Sequence, residues 1–297
     1  MAPTKDLVSP LDPDLLGRLR GLKVQMQQVV EGVLAGLHRS ARTGVSIEFA
    51  EHKEYSPGDD PRHLDWRVLG RLDRYVVKKF EDETNLQALL AVDISGSMGY
   101  GSGRFTKAAY SSLMAVSLAA LLLRQGDEAG LMLSSAVGEG FLPPQGRADQ
   151  LHEMVNMLEN VSPKGSTVLG KVAERFMEFS KRKSMLVLFS DLFDSDHRVL
   201  PGLKMLAARG HEVVVFHVLD PDELEFPFQD PTMFESMEDN RSLLVFPREV
   251  RRAYLEEMKK FLKNTSRELS DSGLSYELVR TDEPPHQPLL RFLLSRS

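Results

Sequence analysis

The chain reads as an α/β protein: a doubly wound, mostly parallel sheet of Rossmann type, preceded by an N-terminal helix and β-hairpin module. Three observations predict this. The runs Ala88-Leu89-Leu90-Ala91-Val92 and Met185-Leu186-Val187-Leu188-Phe189 are apolar throughout, and Val213 to Leu219 is apolar except for His217. A strand with one wet face would alternate, so these read as strands buried on both faces. Helical patterns lie between the runs, and that alternation is the signature of a parallel sheet covered on two sides.

Taken in order, residues Asp12 to Leu37 predict a helix with an apolar stripe of Leu15, Leu16, Leu19, Leu22 and Val24. A Gly- and charge-rich module follows from Thr43 to Glu83, with alternating segments such as Val45-Ser46-Ile47-Glu48-Phe49. The sheet begins at Leu86 to Asp93, and its first helix covers Phe105 to Arg124. Within that helix Leu113 to Leu123 is the most apolar stretch, far short of the ~20 residues that span a bilayer. It reads as a helix packed on the sheet. Ala129 to Ser134 and Gly140 to Leu142 suggest a hairpin-like strand pair, with helices expected at Asp149 to Leu158 and Val168 to Ser180. After the Met185 strand comes a helix from Arg198 to Ala208, which Gly210 closes as a left-handed terminator. Met233 to Phe246 predicts a hairpin around Glu238-Asp239-Asn240. Pro247 suits the first position of a long helix to Ser270, and Leu274 to Val279 is a last strand. These elements divide the chain into a module at 1–84, the α/β domain at 85–283 and a short tail at 284–297.

Composition narrows the function. Of 297 residues, 42% are hydrophobic and 27% charged, ordinary for a globular chain. A formal net charge of −6 argues against a nucleic-acid binder, which would carry a basic face. Cys is 0, which removes thiolate metal sites, disulfides and cysteine nucleophiles. Met1 to Leu7 lacks the apolar core of a signal peptide. No membrane span and a cytoplasmic location are the expectations.

Chemistry concentrates where the first long strand ends. Asp93-Ile94-Ser95-Gly96-Ser97 places one carboxylate and two hydroxyls in a loop after the strand, where open sheets bind ligands. Such hard oxygen donors suit Mg²⁺ or Mn²⁺. Thr167 lies in the turn Lys164-Gly165-Ser166-Thr167, and Asp191 follows the Met185 to Ser190 strand. All five can converge on one crevice. Plainer roles exist for four of them: Ser95, Ser97 and Thr167 as helix caps, Asp191 as a turn former.

The tripod, threonine and distal aspartate, in this order, resemble the metal-ion-dependent adhesion site of von Willebrand factor A-like domains. That resemblance implies metal ligation by Asp93, Ser95, Ser97, Thr167 and Asp191. The module upstream carries Gly44, Glu48, Phe49, Tyr55, Gly58, Asp59, Asp60, Arg62, Asp65, Trp66 and Arg71. With the tripod downstream, it is similar to the bacterial family called domain of unknown function 58. Lys53 stands where that pattern would have arginine, and Gly70 where it would have a small residue such as alanine. The module reads either as an ion-pair cluster fixing its own register or as an acidic and aromatic patch for a partner.

Other chemistries fail on residues. A haloacid-dehalogenase acid would stand at the position of Ser95. Arg104 breaks a Gly-x-Gly-x-x-Gly reading of Gly99 and Gly101, and Lys164-Gly165-Ser166-Thr167 has the wrong order for a phosphate loop. Ser97 has Ser95 where a nucleophile elbow needs glycine. His217, inside an apolar strand, reads as a satisfied core histidine. The basic residues Arg248, Arg251, Arg252, Lys259, Lys260 and Lys263 read as a solvated helix face. The expectation is therefore metal-dependent protein binding without catalysis, the ion taking a carboxylate from an acidic residue of the partner. The family resemblance implies a MoxR-type AAA+ ATPase as that partner, in assembly or maturation of other proteins. A metal-dependent hydrolase and a metal-stiffened structural subunit are the alternatives.

Overall fold

The computed structural model describes residues 13–42, 52–54, 76–78, 86–136, 139–180, 182–193, 199–237 and 241–296. The signature residues from Gly44 to Phe49 and from Tyr55 to Arg71 lie outside them. Within the upstream module, helix α1 (Pro13–Arg42) and an antiparallel pair of short strands, β1 (His52–Glu54) and β2 (Val76–Lys78), are described.

The central sheet has six strands: β3 (Gln87–Asp93), β4 (Glu128–Ser134), β5 (Glu139–Gln145), β6 (Met185–Ser190), β7 (Glu212–Leu219) and β10 (Ser275–Arg280). Their order is β10-β7-β6-β3-β4-β5, parallel except for the edge strand β5, which runs antiparallel to β4. The chain starts in the middle at β3, winds outward through β4 and β5, then returns to β6 on the other flank. That reversal is a topological switch point, with β3 and β6 side by side at the crevice it creates.

Strand periodicity sorts β3 between two cores. Ala88, Leu90 and Val92 face helices α1, α2 (Lys107–Arg124), α3 (Gln150–Glu159) and α8 (His286–Leu294). Leu89 and Ala91 face helices α4 (Gly170–Phe179), α5 (Val199–Ala208) and α7 (Pro247–Asp271). Helix α2 is apolar and long enough to cross a membrane by composition, yet 78% of it is buried inside the fold. Its serines and alanines allow close packing, and Ser117 returns its hydroxyl to the Leu113 carbonyl. The hairpin expected after β7 is present as β8 (Thr232–Glu235) and β9 (Ser242–Val245), an antiparallel pair outside the main sheet.

One expectation needs correction. Residues after 284 do not form a tail: α8 buries Leu289 and Phe292 in the first core. Its apolar face is matched to α1, where Gly32 and Gly36 face it. A β-carbon at Gly36 would press on the Leu290 side chain, so the two helices approach closely because the glycines leave room. Helix α6 (Pro221–Glu225) is an element that the hydrophobic pattern does not announce. It is set by Asp220 and Glu223 in a reciprocal capping box with Pro221 at the first turn.

Candidate metal centre

Asp93 closes β3 and is fully buried. Its Oδ1 accepts from the Ser95 backbone N–H at 2.9 Å and its Oδ2 from the Ser190 hydroxyl at 2.7 Å. The first bond curls the chain back after the strand and aims both serines along one edge. The Ser95 and Ser97 hydroxyl oxygens come within 3.2 Å of each other. Neither serine caps a helix: the 3-10 turn Ser97–Gly99 has no side-chain cap, and α2 is capped by Thr106.

Thr167 is brought to the same place by backbone bonds. Gly96 N–H donates to the Gly165 carbonyl at 2.8 Å, and Lys164 N–H to the Ile94 carbonyl at 3.0 Å. The two loops are thus zipped together, and Ser134 at the end of β4 holds the Val168 carbonyl. Thr167 is buried and is not the cap of α4, whose N-cap is Leu169 without a side-chain bond. Gly165 carries φ +75°, the left-handed turn that lets the loop fold onto Gly96.

Asp191 follows β6 and is fully buried. One oxygen accepts from Phe193 N–H at 3.1 Å, the turn-forming role expected of a strand-end aspartate. The other meets Lys107 Nζ at 2.8 Å, in an ion pair whose two side chains are both at 0% exposure. Leu192 between them has φ 56°, an uncommon conformation for a branched residue, and its N–H is held by the Ser190 hydroxyl at 2.9 Å. Ser190 therefore ties Asp93 to the chain that positions Asp191.

Lys107 is shared, since it also donates to Glu223. Burial pushes Lys107 down, but Asp191 and Glu223 outweigh it and hold it above its ordinary value. Burial raises Glu223 against the pull of Lys107. His217 is buried with both ring nitrogens engaged, by the Asp191 carbonyl and the Tyr276 hydroxyl, each at 2.9 Å. Burial pushes it down to about 4, so it stays neutral at physiological pH. It is the satisfied core histidine expected, and it braces the Asp191 backbone.

The glycine-rich loop after Ser97 is anchored at a distance by Asp220. This buried carboxylate accepts from Ser102 N–H and hydroxyl, from the Thr281 hydroxyl at 2.9 Å and from Asp222 N–H at 3.0 Å. At Gly101 a β-carbon would overlap the Phe105 carbonyl, so the loop closes on α2 only with glycine there.

The loop after β3 that carries Ser95 and Ser97, the loop that carries Thr167 and the end of β6 next to Asp191 meet at the switch point, and hydroxyls with carboxylates are the donor chemistry of a hard divalent cation. Burial first, and the neighbouring Asp191 second, raise the Asp93 carboxyl to about 7, against opposing bonds from Ser190 and Ser95. Lys107 pairs with Asp191 and Glu223, while Asp191 lies close enough to Asp93 to disfavour its charge; a cation beside Asp93 would offset that repulsion. Ligands at 2.0–2.1 Å in an octahedron have adjacent oxygens about 3 Å apart, close to the Ser95–Ser97 separation. Lys107, Glu223, Ser190 and Asp220 were not singled out from sequence. A lone lysine opening an apolar helix and the Asp-x-x-Glu spacing of a capping box were the signals available.

Comparison with known proteins places this chain in a family. The chain belongs to the family described as "Protein of unknown function DUF58", which it matches over residues 51–263. It is 26% identical over 290 residues to an uncharacterized protein of Mycobacterium tuberculosis and to another of Mycobacterium bovis, covering 96% of this chain and 90% of each relative. Among solved structures it is similar to an aerotolerance-related membrane protein from Bacteroides fragilis, at 17% identity and TM-score 0.48, over 72% of this chain and 100% of that one. BatB from Bacteroides thetaiotaomicron follows at 16% identity and TM-score 0.46, with the same coverage.

Proposed function

We propose that this DUF58 protein is a metal-dependent protein-interaction module whose docking face is the crevice at the ends of β3 and β6. The observation that carries the reading is the pair of buried carboxylates, Asp93 and Asp191, set beside the close hydroxyls of Ser95 and Ser97. Ser95, Ser97 and Thr167 would hold Mg²⁺ or Mn²⁺ directly. Asp191, with one oxygen on Lys107 and the other on Phe193 N–H, would act through water. An ion so held supplies a Lewis-acidic position open to a carboxylate of a partner protein.

Binding is favoured over hydrolysis because the bases nearest the crevice are committed. His217 spends both nitrogens on structure, and Glu223 pairs with Lys107. A general base needs a free lone pair within reach of the proton it takes. The family resemblance suggests a MoxR-type AAA+ ATPase as partner, in the cytoplasm, acting on the assembly or maturation of other proteins. Co-purification of such an ATPase with the wild-type chain, repeated with chelator and with Ser97→Ala, tests this. Loss under both conditions is expected; an ATPase retained under both would place the docking surface elsewhere.

A further inference from the structure

Exposed apolar side chains are not scattered over this molecule. Among the described residues, six of the eight large exposed ones fall between positions 233 and 250: Met233, Met237, Leu243, Leu244, Phe246 and Val250. They sit on and beside the β8–β9 hairpin, a two-stranded ribbon that pairs with no third strand. Strand alternation puts the cross-strand pair Met233 and Leu244 on one face of the ribbon and Leu243, opposite Phe234, on the other; apolar exposure gathered on one element points to an interaction surface, whereas single exposed apolar residues do not.

The hairpin also walls two cavities that meet. One, of about 530 Å³, runs from the candidate ligand Ser97 past Phe193 to Phe228, Phe234 and Met237. The other, of about 650 Å³, lies between the hairpin and α7 and is lined by Phe226, Leu243, Val245, Val250 and Tyr254. Tyr100, Glu223, Phe228 and Phe234 line both, so the cavity that reaches Ser97 at the edge of the candidate metal crevice continues into the more apolar chamber. The chamber walls are preset: Phe226 stacks on Phe234 at 5.8 Å and packs on Tyr254 at 4.5 Å, while Phe228 meets Phe234 edge-on at 5.2 Å. Phe226 holds φ 44° to do so, with Arg251 capping its carbonyl and that of Glu225. The size and lining suit a bulky side chain.

We propose that the metal crevice and this chamber form one two-point docking site for a partner segment that carries an acidic residue and, close by in sequence, a large apolar side chain. The inference rests on the metal-face reading above: charge complementarity directs the carboxylate to the ion, and continuity of the cavities directs the apolar side chain into the chamber. The hairpin and α7 then set which acidic segments are accepted, a choice that one carboxylate alone cannot make.

The test uses the full chain and short fluorescent peptides, each with one glutamate and one phenylalanine at varied separations, followed by anisotropy in Mg²⁺. Controls replace phenylalanine by alanine or glutamate by glutamine. At the best separation the parent peptide is expected to bind about tenfold or more tightly than the alanine version, and chelator or the glutamine version should abolish binding. Phe228→Ala and the exposed Leu243→Asn should erase the phenylalanine preference while Mn²⁺ titration stays as in wild type.

Each failure has its own meaning. Equal binding of phenylalanine and alanine peptides in Mg²⁺, or no peptide binding at millimolar concentration by a protein that binds Mn²⁺, overturns the two-point site and leaves the metal reading standing. Absence of Mn²⁺ binding removes both. Phenylalanine-dependent binding that ignores chelator separates the chamber from the metal and overturns the proposal. A wild-type dimer that Leu243→Asn dissociates would make a second copy the occupant. A shift of Trp66 emission on Leu243→Asn in the partner-free protein would make it the chain's own upstream module.

Discussion

Lys107 Nζ lies 2.8 Å from Asp191 Oδ2, and both side chains are completely buried. The lysine begins α2 and the aspartate follows β6, so this bond locks the helix to the switch point of the sheet. It also makes Asp191 a structural residue as well as a candidate ligand. Charge reversal at Asp191 would set an ammonium against Lys107 inside the protein, and loss of function in that variant would report unfolding as readily as metal loss.

Lys107→Met should destabilise the metal-free protein by about 3–5 kcal/mol, because it strands buried Asp191 and leaves Glu223 without its partner. Mg²⁺ should restore more stability to the variant than to wild type, since it meets a larger deficit of positive charge. Urea unfolding with and without Mg²⁺ measures both effects. An unchanged midpoint in metal-free buffer would show that the pair contributes nothing.

Ser190→Ala should cost about 1–3 kcal/mol, the price of leaving a buried acceptor short of its donor. The same change should weaken Mn²⁺ binding, as Asp93 loses the hydroxyl that favours its ionised form. Equal Mn²⁺ affinity in the variant and wild type, read by calorimetry, would deny Ser190 a positioning role.

The metal-free protein should lose stability as pH rises from the ordinary carboxylate range toward about 7. Folded Asp93 keeps its proton up to about 7 while the unfolded chain releases it earlier, so the folded state binds the extra proton in that window. Asp93→Asn should remove this component, and saturating Mg²⁺ should reverse it because the ion replaces the proton. Denaturant unfolding from about pH 5 to about pH 8 gives the slope. A slope unaffected by Asp93→Asn would place the titrating group elsewhere.

Leu289→Ala should destabilise the fold by about 2–5 kcal/mol, the usual cost of emptying a buried leucine site. A free C-terminal tail would tolerate it without change in the unfolding midpoint.

The α/β class and the strand-end positions of the candidate residues were legible because local signals agreed. Continuous apolar strands alternated with helical segments, and hydroxyls and carboxylates fell just past strand ends. The C-terminal helix was harder to read. Pro284 and Pro285 suggest a break, and only its partner α1 supplies the glycine-lined groove that gives Leu289 and Phe292 a core to enter. Lys107 was invisible for a similar reason: its partners Asp191 and Glu223 lie 84 and 116 positions away. Long-range pairing of a single lysine leaves no periodic trace. The hairpin was predicted, but its exposed apolar faces acquire meaning only beside Ser97.

The central claim is that Asp93, Ser95, Ser97, Thr167 and Asp191 hold a divalent cation. Its most direct test is calorimetric titration of Mn²⁺ into the wild-type protein and into Asp93→Asn, which keeps the shape of a fully buried side chain while removing its charge. One site is expected in wild type, with Mg²⁺ competing and with protons released on binding near neutral pH, and no measurable binding in a folded Asp93→Asn. Equal Mn²⁺ affinity in the two proteins, or none in wild type, would contradict the account.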